Sequence, residues 1–270
     1  MSWDASLSIL LGLLIGSFAN VAIYRLPRMI ETDTANNPPI DKLNLCWPSS
    51  HCSKCKTPLK IWHNIPLLSY VLLKGRCGFC QQRISVQYPL IELVSAGIWL
   101  GCTQRWGFDI TGFAWAFFFT ALLIASVIDA QTQLLPDDLT LSLIWGGLIA
   151  ASCGWVDIPP THAIWGAGLG YASLWSVAFI FEKITHQQGM GAGDFKLLAA
   201  LGAWLGPYAL LPILIFSSIS GAMIGLWLKW TRRLSSNYVP FGPFLAAAGA
   251  TIALTGLQKI AVFFNWPVPA

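Results

Sequence analysis

The chain has 270 residues, of which 55% are hydrophobic and only 10% are charged, whereas soluble domains carry about 25% charged residues. Its repeated long apolar runs exclude a soluble globular protein and predict an all-α polytopic membrane protein. We attribute the formal net charge of +4 to membrane topology and contact with anionic lipid, and not to nucleic-acid binding.

Eight apolar segments are predicted to cross the bilayer, because a helix of about 20 apolar residues spans the hydrocarbon core. They cover residues 5–24, 89–104, 111–128, 139–154, 161–181, 195–206, 207–228 and 244–264. The sixth segment is short, and Gly206-Pro207 separates it from the seventh. We expect a short, tilted or half-buried helix there, since irregular backbone at membrane depth must be covered by protein or line a wet cavity.

The basic residues set the predicted orientation of these helices. If the eight helices alternate, 14 of the 16 Lys and Arg residues lie on one side, and only Arg105 and Lys259 lie on the other. The positive-inside rule places the richer side in the cytoplasm and both termini outside. The first apolar segment has no basic region before it and no Ala-x-Ala site after it, so we expect a retained anchor and not a cleaved signal.

The predicted spans divide the chain into a first transmembrane helix (1–27), a cytosolic loop (28–88) and a transmembrane core (89–270). The loop is too small for a strong hydrophobic core of its own. It carries Cys52-x2-Cys55 and Cys77-x2-Cys80, with 21 residues between the two pairs. Four thiolates at this spacing predict a structural zinc site that orders the loop.

Competing interpretations of these cysteines are weaker. A disulfide is disfavoured because the predicted topology places the loop in the reducing cytosol. A redox role is disfavoured because no thioredoxin-like pattern of strands and helices surrounds either pair. Cys46 and His51 are near enough in sequence to bind zinc, but the four paired cysteines already complete a tetrahedron, so we interpret both as bystanders.

Polar and small residues mark the first two predicted spans. Gly16 and Ala19 would allow close packing of the first helix, and Asn20 is expected to hydrogen-bond between helices. Glu92 lies just inside the second span, where a carboxylate needs a partner or a wet cavity. Capping of the first helical turn after Pro89 explains Glu92 equally well, and the sequence leaves both interpretations open.

A glycine-rich stretch, Gly189-Met190-Gly191-Ala192-Gly193, precedes Asp194 and the sixth apolar segment. Glycines let the backbone take positive φ or approach another segment closely. Capping of the following helix is the alternative to a functional role for Asp194 at the membrane edge.

A second aspartate, Asp129, ends the third span. A carboxylate there faces the negative pole of the helix, so helical stability alone would not select it. Asp137 and Asp138 follow Pro136 and are predicted to cap the next helix.

Asp129 and Asp194 are predicted to lie at the same membrane depth and to share a water molecule. Because like charges held close cannot both ionise, the pair would hold one proton. The ionised carboxylate would take a proton from the water as it attacks a peptide carbonyl, while the protonated one donates to the carbonyl oxygen.

The alternative is a non-catalytic zinc-binding membrane carrier or assembly factor, in which Asp129 and Asp194 bind a cation or protons. A transporter should show repeated halves with broken helices near the membrane midplane. The sequence has no such repeat, and both aspartates are predicted at one face of the membrane. These two features favour an enzyme.

Short motifs are spread along nearly the whole chain: Gly16-Ser17-Phe18, Asn20-Val21, Tyr24-Arg25-Leu26-Pro27, Asn64-Ile65-Pro66-Leu67, Gly75-Arg76-Cys77, Ile128-Asp129, Leu135-Pro136-Asp137, Gly193-Asp194-Phe195-Lys196 and Pro240-Phe241-Gly242-Pro243. Together with the paired cysteines, they resemble the bacterial type IV prepilin peptidases, bifunctional leader peptidase/N-methyltransferases among the GxGD-type membrane aspartyl proteases. A GxGD motif alone also occurs in presenilin-like enzymes, but its combination with the tetracysteine loop argues against archaeal preflagellin peptidases. One mild departure is Ala19, where a bulkier residue is usual.

The resemblance implies an enzyme of the bacterial inner membrane, with its active site facing the cytoplasm. It implies cleavage of the basic leader of prepilins and pseudopilins after a glycine, for type IV pili or type II secretion, and methylation of the new N-terminal residue from S-adenosylmethionine. The family's catalytic aspartates fall on Asp129 and Asp194, and Gly75 resembles a glycine linked to methyl transfer. We expect Gly75 to let the methyl donor approach the backbone closely.

Overall fold

The computed structural model describes residues 3–34, 44–52, 54–59, 61–187, 189–231 and 239–264. Four basic residues that enter the orientation argument, Lys42, Lys60, Arg232 and Arg233, lie outside the described residues. In the described part of the chain, the regular elements are all helices, with two isolated β-bridges in the loop before the second long helix. The predicted all-α class is therefore confirmed for these residues.

Ten α-helices are described: α1 (Trp3–Thr34), α2 (Leu68–Leu72), α3 (Gln87–Trp106), α4 (Ile110–Thr132), α5 (Asp137–Ser152), α6 (Pro160–Thr185), α7 (Ala192–Leu205), α8 (Leu210–Trp230), α9 (Gly242–Thr255) and α10 (Leu257–Phe263). Short 3-10 turns lie at Ile61–Asn64 and Pro207–Ala209. Each predicted apolar segment falls on a helix, although Gly256, with φ +82°, divides the eighth between α9 and α10.

Four helices in the described part are long and apolar enough to cross a membrane: Trp3–Glu31, Ile110–Thr132, Pro160–Thr185 and Pro207–Trp230. Their number and mean hydropathy confirm that the chain is a membrane protein. The other four predicted segments form shorter or less apolar helices in the described part of the chain, so the predicted count of eight spans is not confirmed.

The first helix extends beyond residue 27, at which we divided the chain, and ends at Thr34. Pro27 lies inside it, at the cost of one hydrogen bond to the carbonyl four residues earlier. Arg25, two residues before Pro27, is only 5% exposed, and its guanidinium donates to the carbonyls of Asn44 (2.8 Å) and Pro48 (2.6 Å). These hydrogen bonds from Arg25 hold residues 44–48, which precede the first cysteine pair, against α1.

The first compact unit, Met1–Thr120, is built on the pairing of α1 with α3. A Cβ atom at Gly16 would lie only 2.7 Å from the Cα of Glu92, so the two backbones can meet there only because Gly16 has no side chain. Asn20 then joins the helices, because its Nδ2 donates to the carbonyls of Gly16 and Tyr88. The close packing and the interhelical hydrogen bond expected from the sequence are both present.

The second compact unit, Ala121–Ala270, is built around α7. Helices α5, α6 and α9 all pack on α7, and its residues from Leu197 to Trp204 are buried without interruption. The buried Trp204 Nε1 donates to the carbonyl of Leu143 on α5 (2.8 Å). Protein surrounds most of this short sixth apolar segment, which agrees with the expected half-buried helix.

Helix α6 approaches α7 through glycines. A Cβ atom at Gly166 would lie 2.1 Å from the carbonyl oxygen of Gly202, and one at Gly170 would lie 2.7 Å from that of Leu198. Such contacts bring two helix backbones together without side chains between them. They fix the position of α7, whose first turn carries Asp194.

Candidate functional site

Asp129 lies near the end of α4 and is 5% exposed. Its Oδ2 accepts a hydrogen bond from the backbone N–H of Gly242 (2.9 Å), the first residue of α9. A Cβ atom at Gly242 would lie 2.7 Å from the same oxygen. The carboxylate thus faces the positive end of α9, which offsets its unfavourable place at the negative end of α4.

Asp194 is placed differently from Asp129. It is the third residue of α7, whose N-cap is Gly191, and no side chain makes a cap hydrogen bond there. Its Oδ1 is buried and has no hydrogen-bond partner among the described residues. The capping interpretation is therefore not supported. A buried carboxylate oxygen without a partner is costly, and such atoms call for a functional explanation.

Asp129 and Asp194 are close enough for their charges to interact. Asp129 has an N–H donor that favours its ionised form, whereas Asp194 has no such donor at Oδ1. A pair in these unequal surroundings can hold one proton, on Asp194, beside an ionised Asp129. This is the arrangement that acid–base catalysis by two carboxyl groups requires.

The glycines before Asp194 are not needed for positive φ, and Gly193 serves close approach. None of them is among the residues with positive φ in the described part of the chain. A Cβ atom at Gly193 would lie 2.5 Å from the Cβ of Leu135, in the segment that follows α4. A Cβ atom at Gly191 would meet nothing within 4 Å. Gly193 therefore packs the loop of Asp194 against the segment that follows Asp129, and Gly191 faces open space.

An ion pair lies beside Asp194. Lys196 Nζ donates to Asp137 Oδ1 at 2.5 Å, and the two side chains are 24% and 59% exposed. Asp137 stands in the first turn of α5, whose N-cap is Pro136 and which has no side-chain cap hydrogen bond. Asp137 and Asp138 both lie in this first turn, where acids were predicted, and the Asp137 carboxylate also pairs with Lys196. At such exposure the pair contributes at most about 1 kcal/mol, and its effect is to align the starts of α5 and α7.

The four cysteines of the loop form one cluster, in which the sulfur atoms of Cys52, Cys55, Cys77 and Cys80 all lie within 4.8 Å of one another. The Cys52 and Cys80 sulfurs are 3.8 Å apart. Four sulfurs at about 2.3 Å from a tetrahedral zinc ion would be separated by about 3.8 Å. The cluster therefore fits a metal ion with little rearrangement.

The two cysteine pairs have the same backbone geometry. In each, the N–H of the first cysteine donates to the carbonyl five residues later, and its carbonyl accepts from the N–H four residues later. The residues at the latter position, Lys56 and Gln81, both have φ +57°. Each pair is thus a tight turn that points two sulfurs the same way, as in zinc knuckles.

The thiols of the cluster differ in acidity. Hydrogen bonds from the side chain and backbone of Thr57 lower the pKa of the Cys55 thiol to about 6. A hydrogen bond from the Gln82 backbone lowers the pKa of the Cys80 thiol, but desolvation and the neighbouring thiols outweigh it and raise that pKa to about 11. The thiolate is the form that binds a metal.

Neither Cys46 nor His51 belongs to the cluster found among the described residues. His51 Nδ1 instead lies 3.1 Å from the carbonyl oxygen of Ser49.

Glu92 and Gly75 have specific local roles. Glu92 is buried, lies beyond the first turn of α3, and accepts the backbone N–H of Leu67 on Oε2 (2.8 Å). Glu92 therefore has the hydrogen-bond partner that a buried carboxylate needs, and it does not cap the first turn of α3. Gly75 has φ +67°, and a Cβ atom there would lie 3.0 Å from the hydroxyl of Tyr70. The Tyr70 ring occupies the space beside Gly75.

Three positions of the aspartate site were not singled out from the sequence. Gly242, Leu135 and Lys196 belong to motifs that the resemblance noted, but no role was assigned to them. Their roles depend on contacts with residues 58 to 113 positions away, as the 113-residue separation of Gly242 from Asp129 illustrates. The sequence signal for Gly242 is the Pro-Phe-Gly-Pro motif before an apolar helix, because Gly and Pro in combination mark a turn.

Comparisons with known proteins cover both units. The bacterial peptidase A24 N-terminal domain matches residues 10–106, and the type IV leader peptidase family matches residues 116–226. A prepilin leader peptidase/N-methyltransferase of Pseudomonas putida is 43% identical over 93% of this chain and 90% of its own length. Proteins of the same name from Stutzerimonas stutzeri and Neisseria gonorrhoeae are 41% and 43% identical, each over 96% of this chain and 93% of their own length. No solved structure matches the chain.

The two glycines before Asp194 yield a matched pair of variants. In Gly193→Ala the new methyl group would overlap Leu135, so we expect the first turn of α7 to shift and any hydrolytic activity to fall at least about tenfold. In Gly191→Ala the methyl group enters open space, and activity should stay within about twofold of wild type. Peptidase assays at matched protein levels measure both. Equal loss in the two variants would show that the Gly193–Leu135 contact does not position Asp194.

Proposed function

The chain belongs to the type IV leader peptidase family, and on this premise we propose that it removes the leader peptide from prepilins and pseudopilins and then N-methylates the new N-terminal residue. Relatives more than 40% identical over almost the whole chain carry the name prepilin leader peptidase/N-methyltransferase. We assign the hydrolysis to Asp129 and Asp194, with cleavage of the basic leader after a glycine.

The observation that carries the assignment is the unequal environment of the two carboxyl groups. Asp129, held by the Gly242 N–H, is the ionised partner and takes a proton from a water molecule. The water oxygen bonds to the peptide carbonyl carbon while Asp194 donates its proton to the carbonyl oxygen, which gives a tetrahedral intermediate.

Collapse of this intermediate restores the starting state. Asp129, now protonated, donates to the leaving nitrogen as the carbon–nitrogen bond breaks, and Asp194 takes back the proton of one hydroxyl group. One water is consumed and the pair again holds a single proton. No other nucleophile is needed.

A carrier that binds a cation between the aspartates is the alternative. The Gly242 N–H already directs a positive dipole at Asp129 Oδ2, and such a donor opposes a cation at the same oxygen. Together with the names of the relatives, this favours the peptidase.

We propose that the cysteine cluster holds one structural zinc ion through Cys52, Cys55, Cys77 and Cys80. Four thiolate ligands leave no open position for catalysis, so the ion would order the loop and not take part in hydrolysis. The methyl donor is S-adenosylmethionine, and Gly75 supports methyl transfer by leaving room for Tyr70.

The proposed setting is the bacterial inner membrane. Eight spans, with the tetracysteine loop (28–88) and both aspartates on the cytoplasmic side, agree with the placement of the basic residues. The segments 1–27, 28–88 and 89–270 then serve as anchor, methyltransferase-associated loop and peptidase core. The partners are prepilin and pseudopilin precursors and membrane lipid, and no nucleic acid is involved.

The aspartate assignment is tested by isosteric substitution. Asp129→Asn and Asp194→Asn should each lower the rate of leader removal at least about 100-fold, because each removes one acid–base group. Asp138→Asn is the matched control, since Asp138 is an exposed carboxylate at the start of α5, and it should cleave at the wild-type rate. Intact mass of a prepilin incubated with each purified variant measures the outcome. Nearly complete leader removal by either test variant would refute the assignment.

The zinc assignment is tested by elemental analysis of purified protein. Wild type should hold about one zinc per chain, and Cys52→Ser should lower zinc content and loop stability, because the metal orders a loop with little core. Cys46→Ser, outside the cluster, should retain the wild-type amount. Less than about half an equivalent of zinc in wild-type protein would count against the site.

A further inference from the structure

A cavity of about 450 Å³ lies within the first compact unit, between the helix pair and the cysteine loop. One face of α1 contributes Ser17, Asn20 and Tyr24, and the start of α3 contributes Tyr88 and Glu92. Tyr70 of α2 and residues of both cysteine knuckles complete the lining. The aspartate pair of the second unit does not contribute to it.

The lining has the chemistry to bind a nucleoside joined to an amino acid. Cavities of about 300–1,000 Å³ accommodate small organic cofactors, and 450 Å³ falls within this range. Two tyrosine rings, Tyr70 and Tyr88, offer stacking surfaces for a purine. A third, Tyr24, also lines the cavity, and the Arg28 guanidinium covers one face of its ring. Arg83 lies at the exposed rim and can pair with a carboxylate.

Glu92 is the one carboxylate among the described residues that line this cavity. Gly16 brings the backbone of α3 against α1 at this residue, and Ser17, the next residue of α1, lines the cavity beside it. The N–H of Leu67 binds Oε2. Leu67 has φ +58°, which is a strained conformation for a bulky residue. A buried carboxylate held in place by strained backbone points to a cationic ligand.

The contact of Gly75 with Tyr70 belongs to the same site. Gly75 is not part of the lining, but its N–H donates to the Tyr70 carbonyl, and a Cβ atom there would lie 3.0 Å from the Tyr70 hydroxyl. A side chain at this position would displace Tyr70 and alter the shape of the cavity. Gly75 is therefore a positioning residue, and the donor does not need to approach its backbone.

We propose that this cavity binds S-adenosylmethionine, with Glu92 beside its sulfonium group and next to the pilin amine. The inference rests on the proposed N-methyl transfer. Glu92 accepts the proton that the N-terminal ammonium sheds. The amine lone pair then bonds to the methyl carbon while the carbon–sulfur bond breaks, and its electron pair stays on sulfur to leave neutral S-adenosylhomocysteine.

The location is tested by filling the cavity. Val21→Trp places a large ring in it, since Val21 lines it, whereas Leu14→Trp places the same ring on an exposed part of α1. Isothermal titration of purified protein with S-adenosylmethionine should show binding at least about tenfold weaker in Val21→Trp and unchanged in Leu14→Trp. Zinc content equal to wild type in Val21→Trp shows that the loop is still folded. Unchanged binding in a folded Val21→Trp would overturn the proposal.

The role of Glu92 is tested with a variant that keeps its size and its bond to Leu67. Glu92→Gln should weaken binding of S-adenosylmethionine, which carries the sulfonium charge, at least about tenfold, and that of neutral S-adenosylhomocysteine by less than about threefold. Equal effects on the two ligands would overturn the placement of Glu92. If wild-type protein cleaves a prepilin but neither binds the donor nor methylates the product, N-methyl transfer itself fails. If wild type does both and Val21→Trp does the same, only the location fails.

Discussion

The hydrogen bond from the Gly242 N–H to Asp129 sets the conditions for the rest of the aspartate site. It ties the end of α4 to the start of α9, 113 residues apart in sequence, and it supplies a positive dipole to a carboxylate that its own helix disfavours. With Asp129 stabilised as an anion, a second carboxyl group nearby is favoured in its protonated form. In the proposed mechanism, the division of acid and base roles between two chemically identical side chains follows from this one contact.

The packing of the second unit then brings Asp194 to the correct place. Helix α7 packs against α5, α6 and α9, and its residues from Leu197 to Trp204 are buried. Gly193 packs on Leu135, and Lys196 pairs with Asp137. These contacts hold Asp194 at the end of a rigid element, which preorganised catalysis requires. In the first unit a glycine also allows close packing, because Gly16 lets α3 place Glu92 beside α1.

Much of this arrangement could be predicted from the sequence. Hydrophobic segments located the long helices, cysteine spacing predicted the four-sulfur cluster, and the GxGD motif and Asp129 indicated the aspartate pair. The partner of Asp129, the pairing of Asp137 with Lys196 and the hydrogen bond of Glu92 with Leu67 could not be predicted. Each depends on tertiary contacts between distant segments, on which local patterns carry no information. The same limit applies to Gly75, whose neighbour Tyr70 is close in sequence but is oriented by a turn of unusual backbone conformation.

In the proposed mechanism, Asp129 and Asp194 act as one catalytic unit. A double-mutant cycle on leader cleavage measures this coupling, with Asp129→Asn, Asp194→Asn and the combined variant assayed on one prepilin at matched enzyme concentration. When two groups act as a unit, removal of the second costs little further activity once the first is gone. The combined variant should therefore retain the same residual rate as each single variant, within about threefold. Losses that multiply in the combined variant would mean that the two carboxyl groups act independently, which would rule out a shared catalytic role.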